Sequence, residues 1–265
     1  MTSSPPMTLY HFPGCPYSER VEIVLELKGL GAQVRDVEVD MSAPRPQWLL
    51  QKTRGTTALP AFEAPEGTLK ESLVIMRYLE QRFPERPVAN PDPFLHAVEG
   101  MLVATDGAFS GPGYQMIRNL DPAKRIELRT AVDAQYARID AFLRDWGRGD
   151  PWLFADFGWA EAAFTPLLKR LEFLAYYEDY AIPAALGRVR AWRDACLAHP
   201  AAQHRTVEEV VKLYYDYTRG AGGGSLAPGR KVSSFALEPN WRSRPMPPRD
   251  KWGRPAATDA ELGLA

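Results

Sequence analysis

The sequence predicts a small α/β domain followed by an all-helical domain and an extended C-terminal tail. Residues 7–39 read as a short apolar strand, an amphipathic helix and a second strand rich in β-branched residues. Four prolines then fall within residues 84–93, a density that interrupts helices and strands alike. Beyond this stretch the apolar residues recur with the helical period, and no strand pattern is visible.

The first strand covers residues 7–12, and the helix after it is expected from about Pro16 to Leu30. The second strand covers residues 32–39. Because strand, helix and strand follow one another so closely, they predict a βαβ unit with parallel strands and a right-handed crossover. One face of the helix is apolar. The other face, expected to be solvent-exposed, carries Glu19, Glu22, Glu26 and Lys28.

A hairpin and a helix complete the first domain. The stretch "PAFEAPEGTLK" predicts two short strands around a Pro-Glu-Gly turn, and a helix begins near Ser72 and ends before Pro84. The resulting order β-α-β-α-β-β-α is that of a thioredoxin-like domain. We therefore predict a thioredoxin-like domain at residues 1–84, an all-helical domain at 94–219 and a Gly/Pro-rich extension at 220–265.

In the helical domain, Asp121 predicts the N-cap of a long helix with Pro122 at its first position. Two more helices are expected within residues 158–174 and 182–199. The last helix opens with a Thr-Val-Glu-Glu capping box at 206–209. After it, a flexible glycine-rich connector leads into a tail that we expect to be an extended arm held by Trp241 and Trp252.

The bulk composition excludes several classes of function. A formal net charge of -1 gives no general attraction for nucleic acid or an anionic membrane. The start of the sequence has no signal-peptide pattern, and no apolar run is long enough for a membrane span. The two cysteines and four histidines match no common zinc spacing, so no metal is expected. A cytoplasmic location follows as the default, with thiols kept reduced.

The stretch "PGCPYS" places Cys15 where a strand turns into a helix. A free cysteine is most often a buried packing residue, which suits Cys196 inside an amphipathic helix. Cys15 differs, because the N-terminus of a helix stabilises a thiolate. Ser18 stands where a dithiol motif would have its second cysteine, and metal-ligand partners are missing. A lone nucleophile remains, and glutathione is the cytosolic thiol expected to reopen any disulfide that it forms.

Other residues of the first domain could hold such a tripeptide. Leu59 precedes Pro60, and a cis bond there would leave the Leu59 backbone free to pair with an added peptide. Ser72, at a helix N-terminus, could bind a carboxylate. Glu71 beside it could pair with an ammonium group. Taken alone, however, Ser72 is better explained as an N-cap and Glu71 as a solvated charge.

Together, "PGCPYSERV", "TTALPAF" and "KESLVIMRYLEQRFP" resemble the cysteine-type, omega-like class of the glutathione transferase superfamily. The resemblance implies the glutathione transferase fold, glutathione as co-substrate, a homodimer and Cys15 as the catalytic thiol. One departure stands at Gly158 and Glu161, where the family usually has a Ser or Thr and an Asp. The residues implied to bind glutathione are Pro16, Tyr17, Arg45, Leu59, Pro60, Glu71 and Ser72.

"KLYYDYT" and the tail "SRPMPPRDKWG" are similar to one member type, the glutathione-removing thioether lyases of bacterial lignin β-aryl ether degradation. The implied substrate is an aromatic ketone that carries glutathione as a thioether on the carbon next to the carbonyl. Cys15 would take the glutathionyl group as a mixed disulfide, and Tyr217 would donate a hydrogen bond to the ketone. The expected wall around the aryl group consists of Tyr17, Phe109, Tyr114, Tyr214 and Tyr217.

Three alternatives stay open at this point. A general glutathione-dependent thiol transferase or dehydroascorbate reductase would use the same cysteine. Conjugation of glutathione to electrophiles is disfavoured, because a cysteine at this position tends to end as a mixed disulfide. A transferase-like fold kept as a non-catalytic interaction module is disfavoured by the intact set of Cys15, Pro60, Glu71 and Ser72.

Overall fold

A computed structural model of the chain describes residues 7–222 and 225–265. Residues 1–6, where no signal peptide is expected, and the two glycines at 223–224 of the predicted connector lie outside the described residues. Among the helices that are described, none is both long and apolar enough to cross a bilayer.

The first domain is built on a four-stranded mixed sheet, with strands β1 (Met7–His11), β2 (Val34–Glu38), β3 (Ala61–Ala64) and β4 (Gly67–Lys70). The strands lie in the order β2-β1-β3-β4. β2 pairs parallel to β1, whereas β3 and β4 form the antiparallel hairpin. The helices are α1 (Pro16–Leu27), α2 (Gln47–Lys52) and α3 (Ser72–Arg82). This order confirms the predicted thioredoxin-like fold.

α1 ends three residues earlier than the sequence predicted. Gly29 has a φ of +67°, a left-handed conformation that favours glycine, and it stops the helix. The N–H of Leu30 then donates to the carbonyl of Leu25, and the N–H of Gly29 donates to that of Glu26. This pair of hydrogen bonds is the Schellman arrangement that commonly closes helices.

Of the four residues on the charged face of α1, only Glu26 is exposed, so the prediction that this face meets solvent is wrong for the other three. Glu19 has 0% of its surface exposed, and Glu22 and Lys28 are also buried. Glu19 and Glu22 are buried because the helical domain packs against them and supplies countercharges, which local periodicity does not reveal. Lys28 pairs instead with Glu80 of α3. Buried charges are tolerated when they are paired and hydrogen-bonded in this way.

One such cluster joins β1, α1 and β2. The two ring nitrogens of His11 each lie 3.0 Å from a carboxylate oxygen, one of Glu22 and one of Asp36. Arg205 also donates to Glu22 over 2.8 Å. The three groups are close enough to hold a metal ion. A protonated imidazole offers no lone pair to a metal, however, and Arg205 already neutralises Glu22, so the cluster is a balanced set of ion pairs.

This cluster predicts a loss of stability in alkali. Burial lowers the pKa of His11, but the hydrogen bonds to Asp36 and Glu22 outweigh it and raise the pKa to about 9. Because the folded value exceeds the unfolded value of 6.5, the stabilisation is complete below pH 6.5 and is lost as the pH rises through 9. We expect the free energy of unfolding in urea to fall by about 3 kcal/mol between pH 6.5 and 10.

The matched variant is His11→Gln, which should remove most of this dependence on pH. An unfolding free energy of the unchanged protein that stays constant, or increases, over the same pH range would contradict the assignment.

The second domain consists of six helices around a buried centre. They are α4 (Pro93–Val103), α5 (Asp106–Arg118), α6 (Arg125–Trp146), α7 (Trp159–Glu178), α8 (Gly187–Ala198) and α9 (Val207–Leu213). Asp121 does accept a cap hydrogen bond, but from a 3₁₀ turn that covers Pro122–Lys124 and precedes α6. The capping box at Thr206 and Glu209 is present as predicted. α4 and α5 had no individual prediction.

α7 is the central helix of this domain. At its start stand Gly158 and Glu161, the residues that differ from those usual in the family. Glu161 accepts a hydrogen bond from the Gly158 N–H over 3.1 Å, which is one half of a capping box. The same carboxylate also accepts from Leu153 N–H and from the Trp192 indole. Glu161 therefore fixes three segments around the start of α7, despite the glycine at the cap.

The C-terminal extension folds back on its own chain. Trp241 is buried, as expected of a pinning residue, whereas Trp252 is only partly covered. Buried cations hold most of the segment. Arg230 pairs with Asp216 and Asp259, and Lys251 pairs with Glu178. These basic residues of the tail thus serve as internal anchors.

Candidate active site

Cys15 is the N-cap residue of α1, with Pro16 at the first helical position. Its side chain makes no cap hydrogen bond and is half-buried. The sulfur lies 3.6 Å from the Leu59 carbonyl oxygen, to which the thiol donates. The sequence therefore places the thiol at the positive end of the helix dipole, beside the loop that precedes β3.

The loop in front of Cys15 is held from the helical domain. The guanidinium of Arg170 donates to the carbonyls of Gly14, over 3.0 Å, and Pro13, over 3.2 Å. The same side chain pairs with the fully buried Glu19 of α1. A Cβ atom at Gly14 would lie only 2.4 Å from the Phe12 ring, so this close approach requires glycine. The position of Cys15 thus depends on a buried ion pair between the two domains.

The first of two cavities beside Cys15 has a volume of about 410 Å³. It is partly open to solvent and has mixed polar and apolar walls; because Arg20, Glu71, Ser72 and Asp106 line it, we call it the polar cavity. The Leu59–Pro60 bond at its edge is cis, which is the condition under which we expected the Leu59 backbone to be free to pair with an added peptide. Among the described residues, no group accepts a hydrogen bond from the Leu59 N–H. The lining residues are Tyr17, Arg20, Ala58, Leu59, Pro60, Glu71, Ser72, Leu73 and Asp106.

Glu71 and Ser72 lie together at the start of α3. Glu71 is the N-cap, with a φ of +68°, and its side chain makes no cap hydrogen bond. A non-glycine residue in this conformation is strained, and such strain is found preferentially at binding sites. Ser72 is the first helical residue rather than the N-cap, and it is buried. Among the described residues, the N–H groups of Ser72 and Leu73, the first two of α3, have no acceptor, and both residues line the cavity.

Two charged residues of this cavity, Arg20 and Asp106, had no prediction from the sequence. Arg20 is 1% exposed, and its guanidinium donates to Asp106 over 2.8 Å, to the Ala163 carbonyl and to the Ser72 hydroxyl. It also stacks over the Tyr17 ring at 5.0 Å. An arginine on the buried side of an amphipathic helix is the signal that could have indicated it. Asp106 comes from α5 and is brought here only by tertiary packing.

Arg45 lies outside both cavities. Its guanidinium donates to the carbonyls of Asp40 and Thr57, over 3.1 and 3.3 Å. Thr57 precedes Ala58 of the first cavity, so Arg45 stands behind the wall and supports the loop. As the chain is arranged here, its charge does not line the space where a peptide carboxylate would sit.

The second cavity has a volume of about 310 Å³ and is predominantly aromatic. Tyr17 lines both cavities, while Cys15 and Pro16 line the second. Because the sulfur also contacts Leu59 of the first cavity, it stands at the junction of the two. The remaining lining residues are Phe12, Gly14, Met41, Tyr114, Arg118, Tyr214, Tyr217 and Phe235.

Three tyrosines form one wall of this cavity. The Tyr214 hydroxyl donates to the Gly14 carbonyl over 3.0 Å and lies 3.4 Å from the Tyr114 hydroxyl. The Tyr217 ring packs against both, at centroid distances of 5.1 and 5.9 Å. Within the described part of the chain, the Tyr217 hydroxyl makes no hydrogen bond. Of the three tyrosines in this wall, it is therefore the one whose phenol is left free to act on a bound molecule.

Burial raises the pKa of Tyr217 above the ordinary value for tyrosine. The nearby cation of Arg118 opposes this effect, whereas the charge on Cys15 adds to it. The phenol consequently remains protonated at neutral pH and can donate a proton.

Phe109 does not belong to the aromatic wall, so its prediction as a substrate contact is wrong. The side chain is 2% exposed and packs edge-on against Tyr136 and obliquely against Phe164. It faces the core of the helical domain because α5 is apolar on the side that meets α6 and α7. Tyr114, on the same helix, faces the cavity instead.

Comparison with known proteins identifies two matching family models. Residues 9–87 match the model of the glutathione S-transferase N-terminal domain, and residues 115–195 match that of the C-terminal domain. The first match covers the first-domain side of the cavities described above, whereas on the opposite side Arg118 is the lining residue that lies within the second match.

Individual proteins agree with these matches. "Protein IN2-1 homolog B" of Oryza sativa subsp. indica is 30% identical over 176 residues, which are 65% of this chain and 67% of that protein. "Glutathione S-transferase L1" of Arabidopsis thaliana is 27% identical over 224 residues, 81% and 90% of the two chains. The crystal structure of glutathione transferase Omega 3C from Trametes versicolor superposes with a TM-score of 0.66 at 25% identity, covering 76% of this chain and 88% of that one.

Proposed function

The chain belongs to the glutathione S-transferase family, and from this premise we propose that it is a glutathione-dependent thioether lyase. The substrate class is an aromatic ketone with glutathione attached to the carbon next to the carbonyl. The observation that carries the proposal is the position of the Cys15 sulfur between a polar cavity and an aromatic one. The similarity to omega-class structures supports a cysteine-type site.

In the first step, the Cys15 thiolate attacks the sulfur of the bound thioether. A bond forms between the two sulfurs, and the carbon–sulfur bond breaks. Its electron pair goes to carbon, which leaves as an enolate stabilised by the adjacent ketone. The glutathionyl group remains on Cys15 as a mixed disulfide.

The enolate needs a proton to become the free ketone. Tyr217 is the proposed donor, because it lies in the same cavity as Cys15, is protonated at neutral pH and has no described hydrogen-bond partner. Proton donation by a positioned side chain typically contributes about 10²–10⁴-fold to a rate.

In the second step, a free glutathione thiolate attacks the mixed disulfide and releases oxidised glutathione. Over the two steps, the thioether sulfur and the sulfur of one free glutathione are oxidised together to a disulfide, and the substrate carbon is reduced from a C–S to a C–H bond. One glutathione is therefore consumed for each ketone released, and the Cys15 thiolate is regenerated.

Glutathione recognition is proposed for the polar cavity. Ser72 and the free N–H groups of α3 suit the carboxylate of the γ-glutamyl end, and Glu71 with Asp106 suits its ammonium. The backbone of Leu59 suits the cysteinyl part. Arg45 is retained only as a residue that supports this loop.

We expect Glu71→Gln to raise the KM for glutathione by about 10- to 100-fold, because a charge-assisted hydrogen bond to the ammonium is lost. The matched control is Glu85→Gln, which removes the same charge from an exposed site outside both cavities. Steady-state kinetics at varied glutathione provide the measurement. Equal KM values in the two variants would remove Glu71 from the binding site.

The proposal is tested by product stoichiometry. With phenacyl glutathione, in which the ketone carries a phenyl ring, and excess glutathione, we expect one oxidised glutathione for each acetophenone released. Release of the ketone without oxidised glutathione would overturn the mixed-disulfide route. Turnover of oxidised or mixed disulfides alone would favour the rival thiol transferase.

A homodimer and a cytoplasmic location complete the proposal, since dimers are typical of the family. Neither a metal nor a nucleic acid enters the scheme, in which the thiol, the phenol and glutathione account for every step.

A further inference from the structure

The aromatic cavity is completed by a residue from outside both family matches. Phe235 belongs to the C-terminal extension, whereas the matched residues end at 195. It lines the cavity together with Cys15 and Tyr217. We infer that the extension is part of the active site and that Phe235 is the residue that selects an aryl group on the substrate. This inference rests on the proposed lyase function.

Phe235 is held firmly among the other rings of the cavity. It is only 6% exposed, and its centroid lies 5.2 Å from Phe12, 5.4 Å from Tyr214 and 5.7 Å from Tyr217. The contacts with Phe12 and Tyr214 are edge-to-face, with interplanar angles of 71° and 84°. Aromatic rings prefer this geometry. The Phe235 ring is therefore already positioned to contact an aryl group that enters the cavity.

The segment around Phe235 is tied to the turn that carries Tyr217. The carboxylate of Asp216, next to Tyr217, accepts hydrogen bonds from the Ser234 N–H over 2.7 Å and the Ser233 hydroxyl over 3.3 Å. The Ser234 hydroxyl donates in turn to the Leu213 carbonyl over 2.7 Å. Phe235 and Tyr217 are therefore positioned by one shared, buried network.

Two arginines anchor the segment on either side. Upstream, Arg230 lies 3.1 Å from Asp216 and 2.5 Å from Asp259, and its side chain is buried. Downstream, Arg244 donates to the carbonyls of Ser234 and Ala236, over 3.3 and 2.6 Å. Because these bonds join the extension to itself and to the Tyr217 turn, the aryl wall is preformed rather than assembled by the substrate.

The test compares two glutathione thioethers that differ only in the aryl group. Phenacyl glutathione carries a phenyl ketone, and acetonyl glutathione carries a methyl ketone on the same thioether carbon. We expect Phe235→Ala to lower the ratio of kcat/KM for phenacyl over acetonyl glutathione by about tenfold, mainly through KM for the phenacyl compound. Phe235→Leu, which keeps most of the volume, should lower the ratio by about threefold.

Phe94→Ala is the matched control, since this phenylalanine is 61% exposed on α4 and lines neither cavity. An unchanged ratio in a folded Phe235→Ala, or in Phe235→Leu if the alanine variant does not fold, overturns the inference and leaves the lyase function intact. If the unsubstituted protein turns over neither thioether, the proposed function itself fails.

Discussion

Cys15→Ser should lower turnover of a glutathionyl aryl ketone by at least about 10³-fold, with no detectable mixed disulfide. The serine hydroxyl keeps the position at the N-terminus of α1 but is not ionised at neutral pH and cannot form a disulfide. Binding should survive, because the polar cavity is built from other residues. Steady-state kinetics and intact mass of the protein provide the measurement.

The control for this prediction is the other cysteine. Cys196 is fully buried in α8, and burial raises the pKa of its thiol well above the ordinary value. Cys196→Ala should therefore leave turnover within about twofold while lowering stability by the usual cost of a small cavity. Comparable losses of activity in both variants would indicate a structural effect rather than nucleophilic catalysis.

Tyr217→Phe should lower kcat for the ketone by about 10²-fold or more, because the enolate then has to take its proton from water. The ring contacts with Tyr114 and Tyr214 are retained, so the shape of the cavity is preserved. KM should change far less than kcat. Since the pKa of Tyr217 is raised, the contribution of proton donation by Tyr217 to the kcat of the unsubstituted protein should be lost only above about pH 10.

Tyr78→Phe is the matched control for Tyr217→Phe. Its hydroxyl donates to Glu66 on the surface of the first domain and lines neither cavity. Unchanged turnover in Tyr217→Phe would exclude the phenol as the donor, and the proton would then have to come from solvent.

The first domain could be predicted well because its signals are local. A strand, a helix and a strand within residues 7–39 leave few topologies open. Among these, the preference for a right-handed crossover between parallel strands selects one. The position of Cys15 between two prolines also fixed its place at a helix N-terminus. Glu71 and Ser72 follow directly from the hairpin, so their common location could be predicted as well.

The failures concern contacts between distant parts of the chain. Glu19 is buried because Lys169 and Arg170 of α7 pair with it, although an amphipathic pattern assigns this charge to solvent. Arg20 lies on the apolar side of the same helix, and its partner Asp106 comes from α5. Phe109 and Tyr114 lie on one helix, and only packing decides which of them meets the cavity. The role of Phe235 depends on a tail that folds back across the chain, which sequence spacing does not reveal.

The central claim is that Cys15 removes glutathione from carbon and carries it as a mixed disulfide. It is tested most directly by intact mass after a single turnover with phenacyl glutathione and no free glutathione. The account predicts one glutathionyl group on Cys15, an equal amount of free acetophenone and no adduct on Cys15→Ser. Acetophenone released without an adduct, or a protein unmodified by both the thioether and oxidised glutathione, would contradict it.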